Sequence, residues 1–208
     1  MLFANDKPLC IIGFEQSTVT QEAMFFLSQE FSGEIIILEP DVFLTYNNKT
    51  QYQYFVAFTL DIEKRIKVIE VIESMQLDCI KYAHDTTICY NKNIDQVLGR
   101  GSFIAPYTTL LMGSQIGPHC ILETHCLVAH YSRLAQNVIL HVGTLIAGKT
   151  NVGPNCVFNF KSSTINHLII DGNIEVGATS TLTKNINQSG YYVGSPARRA
   201  GDRKSFEK

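Results

Sequence analysis

Aliphatic side chains recur at every sixth position through the second half of the chain. Of the fifteen positions in this column, thirteen are Ile, Leu or Val. The column comprises Leu98, Ile104, Leu110, Ile116, Leu122, Val128, Leu134, Leu140, Ile146, Val152, Phe158, Thr164, Ile170, Val176 and Leu182. A helix repeats every 3.6 residues or so and a strand every second residue, so neither alone explains this period. Three short strands per turn do explain it, which predicts a parallel β-helix of about five coils, each of about 18 residues.

A second column, four residues after each aliphatic position, contains mostly small side chains. Its members are Thr108, Ser114, Cys120, Cys126, Ser132, Val138, Thr144, Thr150, Cys156, Ser162, Leu168, Ile174, Ser180 and Ile186. Small residues suit the corners of such a coil, where neighbouring strands leave little room. The three cysteines of this column are therefore interpreted as core residues rather than as catalytic or metal-binding groups.

The first half of the chain alternates apolar runs with amphipathic segments. The runs that predict buried strands are Leu9–Ile12, Glu34–Leu38 and Tyr54–Phe58. Thr18 and Gln21 have capping-box spacing and begin one predicted helix, and Asp61 caps a second. The apolar stripe of the second helix is Ile62, Ile66, Ile69 and Ile72. This order predicts a small βαβαβ, Rossmann-like α/β domain over residues 1–85 and the β-helix over residues 86–208.

Charge and composition narrow the possible partners. The 17 Lys and Arg residues nearly balance the 19 Asp and Glu residues, which gives a net charge of −2. This balance argues against nucleic acid or an anionic membrane surface as the main partner. No apolar run reaches the roughly 18 residues that span a bilayer, and Met1–Cys10 lacks the pattern of a secretory leader. With six cysteines and no CxxC motif, we expect a cytoplasmic protein with reduced thiols.

The order of an α/β domain and hexapeptide repeats resembles hexapeptide-repeat acyltransferases. Thr183–Ile186 and Gly194–Ala197 are similar to the closing turn and tail of the bacterial sialic-acid O-acetyltransferase and nucleotide-amino-sugar N-acetyltransferase family. The resemblance implies a left-handed β-helix and a homotrimer with active sites at the subunit junctions. It also implies acetyl-CoA as co-substrate, no metal, and acetylation of an amino or hydroxyl group of a nucleotide-activated sugar for surface glycan biosynthesis. From Phe103 to Phe160 only three side chains are charged, which suits faces buried between subunits.

Residues one coil apart should stack, because neighbouring strands lie about 4.8 Å apart. Gly148 comes one coil after His130 and should lie beside it. The same offset predicts a polar ladder of Glu123, His141 and Asn159. His130 follows an inward aliphatic residue by two positions, so its side chain should face outward. The resemblance implies that His130 is the general base, with Glu123 and His141 as further catalytic candidates.

Two positions depart from the family pattern around His130. The family often has an acidic residue directly after this histidine, where the present chain has Tyr131. The family's second histidine aligns with Ile139, whereas His141 lies two residues further on. An orienting carboxylate for His130 must then come from elsewhere, and Glu123 is the only carboxylate in this stretch.

The resemblance also implies which residues bind the co-substrate. Gly148 and Lys149 match the segment whose backbone N–H meets the thioester carbonyl, since a glycine permits close approach of the acetyl group. In the closing tail, the candidates for acetyl-CoA binding are Gly194, Pro196, Ala197 and Arg198. The arginine is a candidate partner for the anionic phosphates of coenzyme A.

Three residues in the first part of the chain are substrate candidates. Gly13 lies in the turn after the first strand, where the family's glycine-rich turn approaches the phosphates of the nucleotide sugar. Glu39 follows the second strand, near the acidic position that such proteins use to recognise uracil or ribose. His84 lies in the segment that leads into the repeats.

Two other classes of function remain open at this stage. A metal enzyme of the γ-carbonic anhydrase type shares the β-helix and binds zinc through inter-subunit histidines, and His125 and His130 have the five-residue offset of that family. However, these two histidines occupy the fourth and third positions of their hexapeptides, whereas the γ-carbonic anhydrases use the third and then the second. A catalytically silent trimeric binding or scaffold protein is the third class, suggested by the altered glycine turn at Gly13–Ser17 and by Tyr131 and Ile139.

Overall fold

The computed structural model describes residues 6–203, which fall into two compact units. The first unit ends at Lys81 and the second begins at Tyr82. The first is a small α/β unit and the second is a β-solenoid built from the hexapeptide repeats.

A three-stranded parallel sheet forms the core of the first unit. Its strands are β1 (Leu9–Ile12), β2 (Ile35–Leu38) and β3 (Gln53–Val56), in the spatial order β2-β1-β3. The central strand β1 is apolar at every position and wholly buried, as expected for a parallel strand covered on both faces. The three strands lie within two residues of the predicted runs. The structure therefore shows a small parallel α/β sheet, and its assignment to the Rossmann-like class remains a prediction.

Three helices and a short 3₁₀ segment accompany these strands: one helix joins β1 to β2, a second helix and the 3₁₀ segment join β2 to β3, and the last helix follows β3. They are α1 (Thr18–Glu30), α2 (Pro40–Thr45), the 3₁₀ segment Lys49–Gln51, and α3 (Ile62–Ser74). The cap at Asp61 is confirmed, because its carboxylate accepts a 2.9 Å hydrogen bond from the backbone N–H of Lys64. The capping box at Thr18 and Gln21 is wrong. Ser17 is the N-cap residue, and the Gln21 side chain donates to the carbonyl of Glu15 instead.

An arginine lies on the buried face of α3 where the sequence predicts only an isoleucine stripe. Ile62, Ile69 and Ile72 are buried as expected, but Ile66 is only half-buried. Arg65 is wholly buried and donates from Nη1 to the carbonyls of Val56 and Phe58, at 2.7 and 2.9 Å. Its guanidinium thus satisfies carbonyl groups at the end of β3 that would otherwise lose their water.

The solenoid has three faces, and the strands within each face pair in parallel. Each turn contributes a short strand to each face. The first face contains Tyr82–Ala83, Phe103–Ile104, Ile121–Leu122, Ile139–Leu140, Val157–Phe158, Ile174–Val176, Gly190–Gly194 and, antiparallel at its end, Ala197–Gly201. The second face contains Ile88–Cys89, Thr109–Leu110, Leu127–Val128, Leu145–Ile146, Ser163–Thr164 and Thr181–Leu182. The third face contains Gln115–Ile116, Arg133–Leu134, Asn151–Val152 and Ile169–Ile170, extended by single bridges at Leu98 and Ile186.

The solenoid has about six turns, so the prediction of five coils is one turn short. The additional turn begins at Tyr82, which pairs with Phe103, and Phe103 pairs in turn with Ile121. The first of these two offsets is the longer one, because a 3₁₀ helix at Ile94–Gln96 lengthens the turn. The six-residue period therefore does not extend before Leu98, and the first turn cannot be found from the period alone.

Both predicted columns point into the solenoid. Every member of the aliphatic column from Leu98 to Leu182 is buried, and so is every member of the small-residue column from Thr108 to Ile186. The six cysteines are free thiols. Burial raises the pKa of the Cys126 and Cys156 thiols to about 12, so both remain neutral core groups near neutral pH.

The small-residue column also has a hydrogen-bonding role that size alone did not predict. The Ser132 hydroxyl donates to the carbonyl of Ala147 at 2.8 Å and accepts from the backbone N–H of Thr150 at 3.2 Å. The same bond to the carbonyl 15 residues later is made by Ser102, Thr108, Cys120, Cys126, Thr144, Thr150 and Cys156. These side chains therefore satisfy corner carbonyls that the strand ladders leave unpaired.

The corner between the third and first faces contains a ladder of asparagines. The Asn137 amide donates to Asn155 Oδ1 at 2.9 Å, and Asn155 donates in turn to Asn173 Oδ1 at 3.3 Å. All three residues have the left-handed backbone conformation, with φ near 60°, which asparagine adopts more readily than most residues. Their spacing of one turn is visible in the sequence, but the predicted ladder did not include them.

We expect Ser132→Ala to lower the free energy of unfolding by about 1–3 kcal/mol, because it removes a donor to Ala147 and an acceptor for Thr150. Ser114→Ala is the matched control. The Ser114 hydroxyl is buried in the same column but has no hydrogen-bond partner among residues 6–203, so its removal should change stability by much less. Urea denaturation of both variants measures the difference, and equal losses would contradict the assigned role of the column.

Candidate functional site

His130 lies at the corner between the second and third faces, which we call the second corner. The preceding strand Leu127–Val128 pairs with Leu145–Ile146, so the two turns are in register one full coil apart. Val128 points inward and is wholly buried, whereas His130, two residues later, is exposed. The predicted outward orientation of His130 is confirmed.

Gly148 lies directly against the His130 ring. A Cβ atom at Gly148 would be only 2.6 Å from His130 Nε2 and 2.7 Å from Cε1, closer than carbon atoms pack in proteins. Any other residue at position 148 would therefore displace the imidazole. The stacking of these two positions is confirmed, although the structure does not test their assigned roles.

The backbone N–H of Gly148 already has a partner within the chain. It donates to Oδ1 of Asn166, one turn further along the solenoid, at 2.9 Å. Asn166 is a residue that sequence reasoning missed. The offset of one coil from Gly148 was enough to find it, but no motif marks asparagine at this position as functional.

The imidazole of His130 is not oriented by a carboxylate of the described segment. None of residues 6–203 makes a hydrogen bond to its side chain, and its nearest aromatic neighbour is Tyr131, whose ring lies edge-on at 6.0 Å between centroids. Tyr131 itself packs over Gly113 of the preceding turn, where a Cβ atom would come within 2.4 Å of the tyrosine ring. Tyr131 therefore covers the neighbouring turn.

Glu123 and His141 lie within ion-pair distance of each other at the corner between the first and second faces. We call this corner the first corner. Glu123 Oε1 lies 2.9 Å from His141 Nδ1, and Oε2 accepts from the backbone N–H of Val142 at 3.1 Å. Both side chains are largely buried, with exposed fractions of 13% and 7%. The His141 ring stacks on Phe160, 5.1 Å between centroids. The only carboxylate of this stretch therefore orients His141, not His130.

The predicted polar ladder at the first corner is correct for two of its three members. Glu123 and His141 stack as predicted, but Asn159 does not continue the ladder. Its amide donates to Glu175 Oε1 at 3.1 Å, an offset of 16 residues. Glu175 Oε2 also lies 3.5 Å from Nε of Arg203. This carboxylate therefore contacts both Asn159 and Arg203 near the end of the solenoid.

The closing tail forms a two-stranded hairpin, Gly190–Gly194 with Ala197–Gly201. Ala197 is buried, and Gly194, Pro196 and Arg198 are exposed. The backbone N–H of Gly194 donates to the Ser180 hydroxyl at 2.9 Å, which ties the hairpin to the solenoid. Lys149, at the second corner, is also exposed.

The substrate candidates lie in both units. In the first unit, a Cβ atom at Gly13 would come within 2.3 Å of Thr20 Oγ1, so packing of α1 alone requires glycine there. Glu39 is the exposed N-cap residue of α2. His84 belongs to the first turn of the solenoid, where its Nδ1 lies 2.9 Å from Thr86 Oγ1. No contact in the described segment assigns these three residues to a substrate.

Two negative findings apply to residues 6–203. No group of three His, Cys, Asp or Glu side chains is arranged to hold a metal ion. The His125 ring packs against Tyr107, with centroids 5.1 Å apart and the two planes tilted by 33°. No helix in this range has the length and apolar character needed to cross a bilayer.

Sequence comparison finds relatives among the UDP-3-O-acylglucosamine N-acyltransferases. The protein from Caulobacter sp. strain K31 is 28% identical over 128 residues, which are 62% of this chain and 34% of that protein. The chain thus spans about a third of the length of this curated relative. No protein-family model matches the chain.

Structural comparison finds solved acetyltransferases. The acetyltransferase domain of PglB from Neisseria gonorrhoeae has a TM-score of 0.80 at 17% identity, covering 93% of this chain and 99% of that one, and it is also known in complex with acetyl coenzyme A. A histidine variant of GDP-perosamine N-acetyltransferase from Caulobacter crescentus, in complex with CoA and GDP-perosamine, has a TM-score of 0.80 at 19% identity, covering 94% and 97%. At these identities the likeness shows the fold alone.

These findings confirm the resemblance to hexapeptide-repeat acyltransferases. The solved proteins that share the fold over nearly the whole chain include an acetyltransferase domain and a GDP-perosamine N-acetyltransferase.

Proposed function

We propose that this protein transfers the acetyl group of acetyl-CoA to an amino or hydroxyl group of a nucleotide-activated sugar, in surface glycan biosynthesis. The observation that carries the proposal is the contact between His130 and Gly148. An exposed imidazole lies against the backbone of Gly148, where the missing side chain leaves the room that the ring occupies, so a proton acceptor lies beside the backbone segment that we propose meets the acyl group. The relative solved with CoA and GDP-perosamine supports this chemistry.

The proposed reaction needs a base, a donor for the oxyanion and positioning of both substrates. His130 is the base: its Nε2 edge faces Gly148 and accepts the proton of the attacking group as the tetrahedral adduct forms. With an amine acceptor the proton leaves during this step, because the free amine is already nucleophilic. The Gly148 N–H is the proposed oxyanion donor. Collapse of the adduct breaks the carbon–sulfur bond, and the imidazolium returns the proton to the sulfur of CoA.

The remaining roles follow the family resemblance. Lys149, Gly194, Pro196, Ala197 and Arg198 are proposed to bind acetyl-CoA, with the exposed arginine opposite its phosphates. The same resemblance supports a left-handed solenoid.

The first part of the chain is proposed to hold the nucleotide sugar. Its small parallel sheet is compatible with a Rossmann-like, nucleotide-sugar-binding domain, predicted over residues 1–85, with Gly13 and Glu39 as substrate-binding residues. His84 lies after Lys81, in the first turn of the solenoid, and is proposed separately as a substrate-binding residue. The six free thiols of the chain fit a reducing compartment, which supports a cytoplasmic location.

A homotrimer is part of the proposal, and the second face is its proposed interface. The outward residues of that face are all uncharged: Ile88, Thr109, Leu127, Leu145, Ser163 and Thr181. The third face instead presents Gln115, Arg133, Asn151 and Ile169, which include one charge. Interface cores are depleted in charge, so the second face is the better surface to bury. The first and second corners border this face, which would bring the Glu123 and His141 pair and His130 to the subunit junctions.

Light scattering should give a mass of three times the 23.3 kDa of one chain. Leu145→Glu should produce monomers, because Leu145 is 40% exposed on the second face and its replacement would bury a carboxylate in the interface. Ile169→Glu is the matched control on the third face, where Ile169 is 56% exposed, and it should remain trimeric. A monomeric wild type at micromolar concentration would contradict the trimer.

His130→Ala should lower kcat by about 10²- to 10⁴-fold, the usual contribution of a positioned base. Affinity for acetyl-CoA should change much less, because the imidazole acts on the acceptor. The assay measures acetyl transfer to a panel of nucleotide amino sugars, alongside calorimetric binding of acetyl-CoA. His125→Ala is the control histidine and should retain activity.

Three other outcomes would redirect the assignment. Full activity in His130→Ala with loss in His141→Ala would move the base to the Glu123 and His141 pair. Loss in both His125→Ala and His130→Ala, with stoichiometric zinc in the purified protein, would favour the γ-carbonic anhydrase type. A wild type that is stabilised by acetyl-CoA but transfers no acetyl group to any acceptor would favour a silent binding protein.

A further inference from the structure

The backbone N–H at position 148 is not part of the strand ladder of the solenoid. Gly148 is the second residue after the inward aliphatic Ile146. In hexapeptides at the other two corners the equivalent position can be proline, as at Pro106, Pro118 and Pro154. Because proline has no N–H, the solenoid does not need a donor at this position. The Gly148 N–H is therefore available for a partner outside the ladder.

The partner it has is a carbonyl group. Asn166 Oδ1 accepts from the Gly148 N–H at 2.9 Å, and the amide oxygen of asparagine is an uncharged acceptor, like the carbonyl oxygen of a thioester. Asn166 is exposed, and its side chain makes no other hydrogen bond within residues 6–203. The side chain can therefore leave at the cost of a single hydrogen bond.

We infer that Asn166 is a specificity-determining residue that occupies the acyl-carbonyl position and must be displaced by the thioester carbonyl. This inference rests on the proposed function, since it takes the Gly148 N–H as the donor to the acyl group. The contact with Asn166 lowers the affinity for acetyl-CoA, because acetyl-CoA must first break it. Free CoA has no thioester carbonyl and does not compete for this N–H. Asn166 thus sets the ratio of affinities for the acylated and the free coenzyme.

The test compares acetyl-CoA and CoA binding by calorimetry in the wild type and two variants. Asn166→Ala should tighten acetyl-CoA binding by about two- to tenfold, the range of one net hydrogen bond, and leave CoA binding unchanged. Asn166→Asp should shift the ratio the other way, because a carboxylate accepts the N–H more strongly than an amide does.

Asn91→Ala is the matched control. Asn91 Oδ1 accepts from the backbone N–H of Gly113 at 2.8 Å, so here too an asparagine oxygen binds a glycine N–H, although this asparagine comes from the preceding part of the chain. This variant should leave the ratio of the two affinities unchanged. Hydrogen exchange gives a readout without ligand: the Gly148 amide should exchange faster in Asn166→Ala than in the wild type.

Different outcomes would contradict the inference about Asn166 and the proposed acetyl-transfer function. If the wild type binds both ligands and Asn166→Ala leaves their affinity ratio unchanged, or moves both affinities equally, the inference is wrong while the proposed function stands. If the wild type binds neither acetyl-CoA nor CoA, the proposed function is wrong and the inference falls with it. Unchanged exchange of the Gly148 amide in Asn166→Ala would overturn the contact itself.

Discussion

Backbone hydrogen bonds between successive turns keep one offset along the chain, 18 residues, through the turns from Phe103 to Val176, and the proposed chemistry depends on that offset. The N–H of Lys149 donates to the carbonyl of His130 at 2.9 Å, and the N–H of Ile139 donates to the carbonyl of Cys156 at the same distance. Each such bond holds one turn in register with the next. A slip of one residue would turn inward side chains outward, so the buried aliphatic column makes the register the only stable one.

This constraint explains why so much of the solenoid can be predicted from the sequence. Once the period of six is recognised, residues about 18 positions apart are expected to be neighbours in space. This offset places Gly148 beside His130 and Glu123 beside His141, and both contacts exist. The outward orientation of His130 follows from the same phase. In the first unit, apolar runs predict the three strands, because a parallel strand that is buried on both faces has a nearly continuous hydrophobic sequence.

What the sequence does not predict is the choice of partner among polar side chains. Asn159 has a ladder neighbour at His141, yet it donates to Glu175, because a flexible amide bonds to the better acceptor within reach rather than to the residue in register. The partners of Arg65 could not be predicted either. A buried arginine beside the isoleucine stripe is explained only by the backbone carbonyls at the end of β3, which accept its hydrogen bonds. The first turn was missed because the Ile94–Gln96 helix breaks the period.

We propose that the absence of a side chain at Gly148 lets the His130 imidazole lie beside the acyl group. The most direct measurement is the turnover of Gly148→Ala. The added methyl would fall 2.6 Å from His130 Nε2. Because His130 is exposed, its ring can swing away without unfolding the solenoid, so the variant should keep wild-type secondary structure and lose at least about 100-fold in kcat, as expected when the base is displaced. A folded Gly148→Ala variant with near-wild-type turnover would contradict the account.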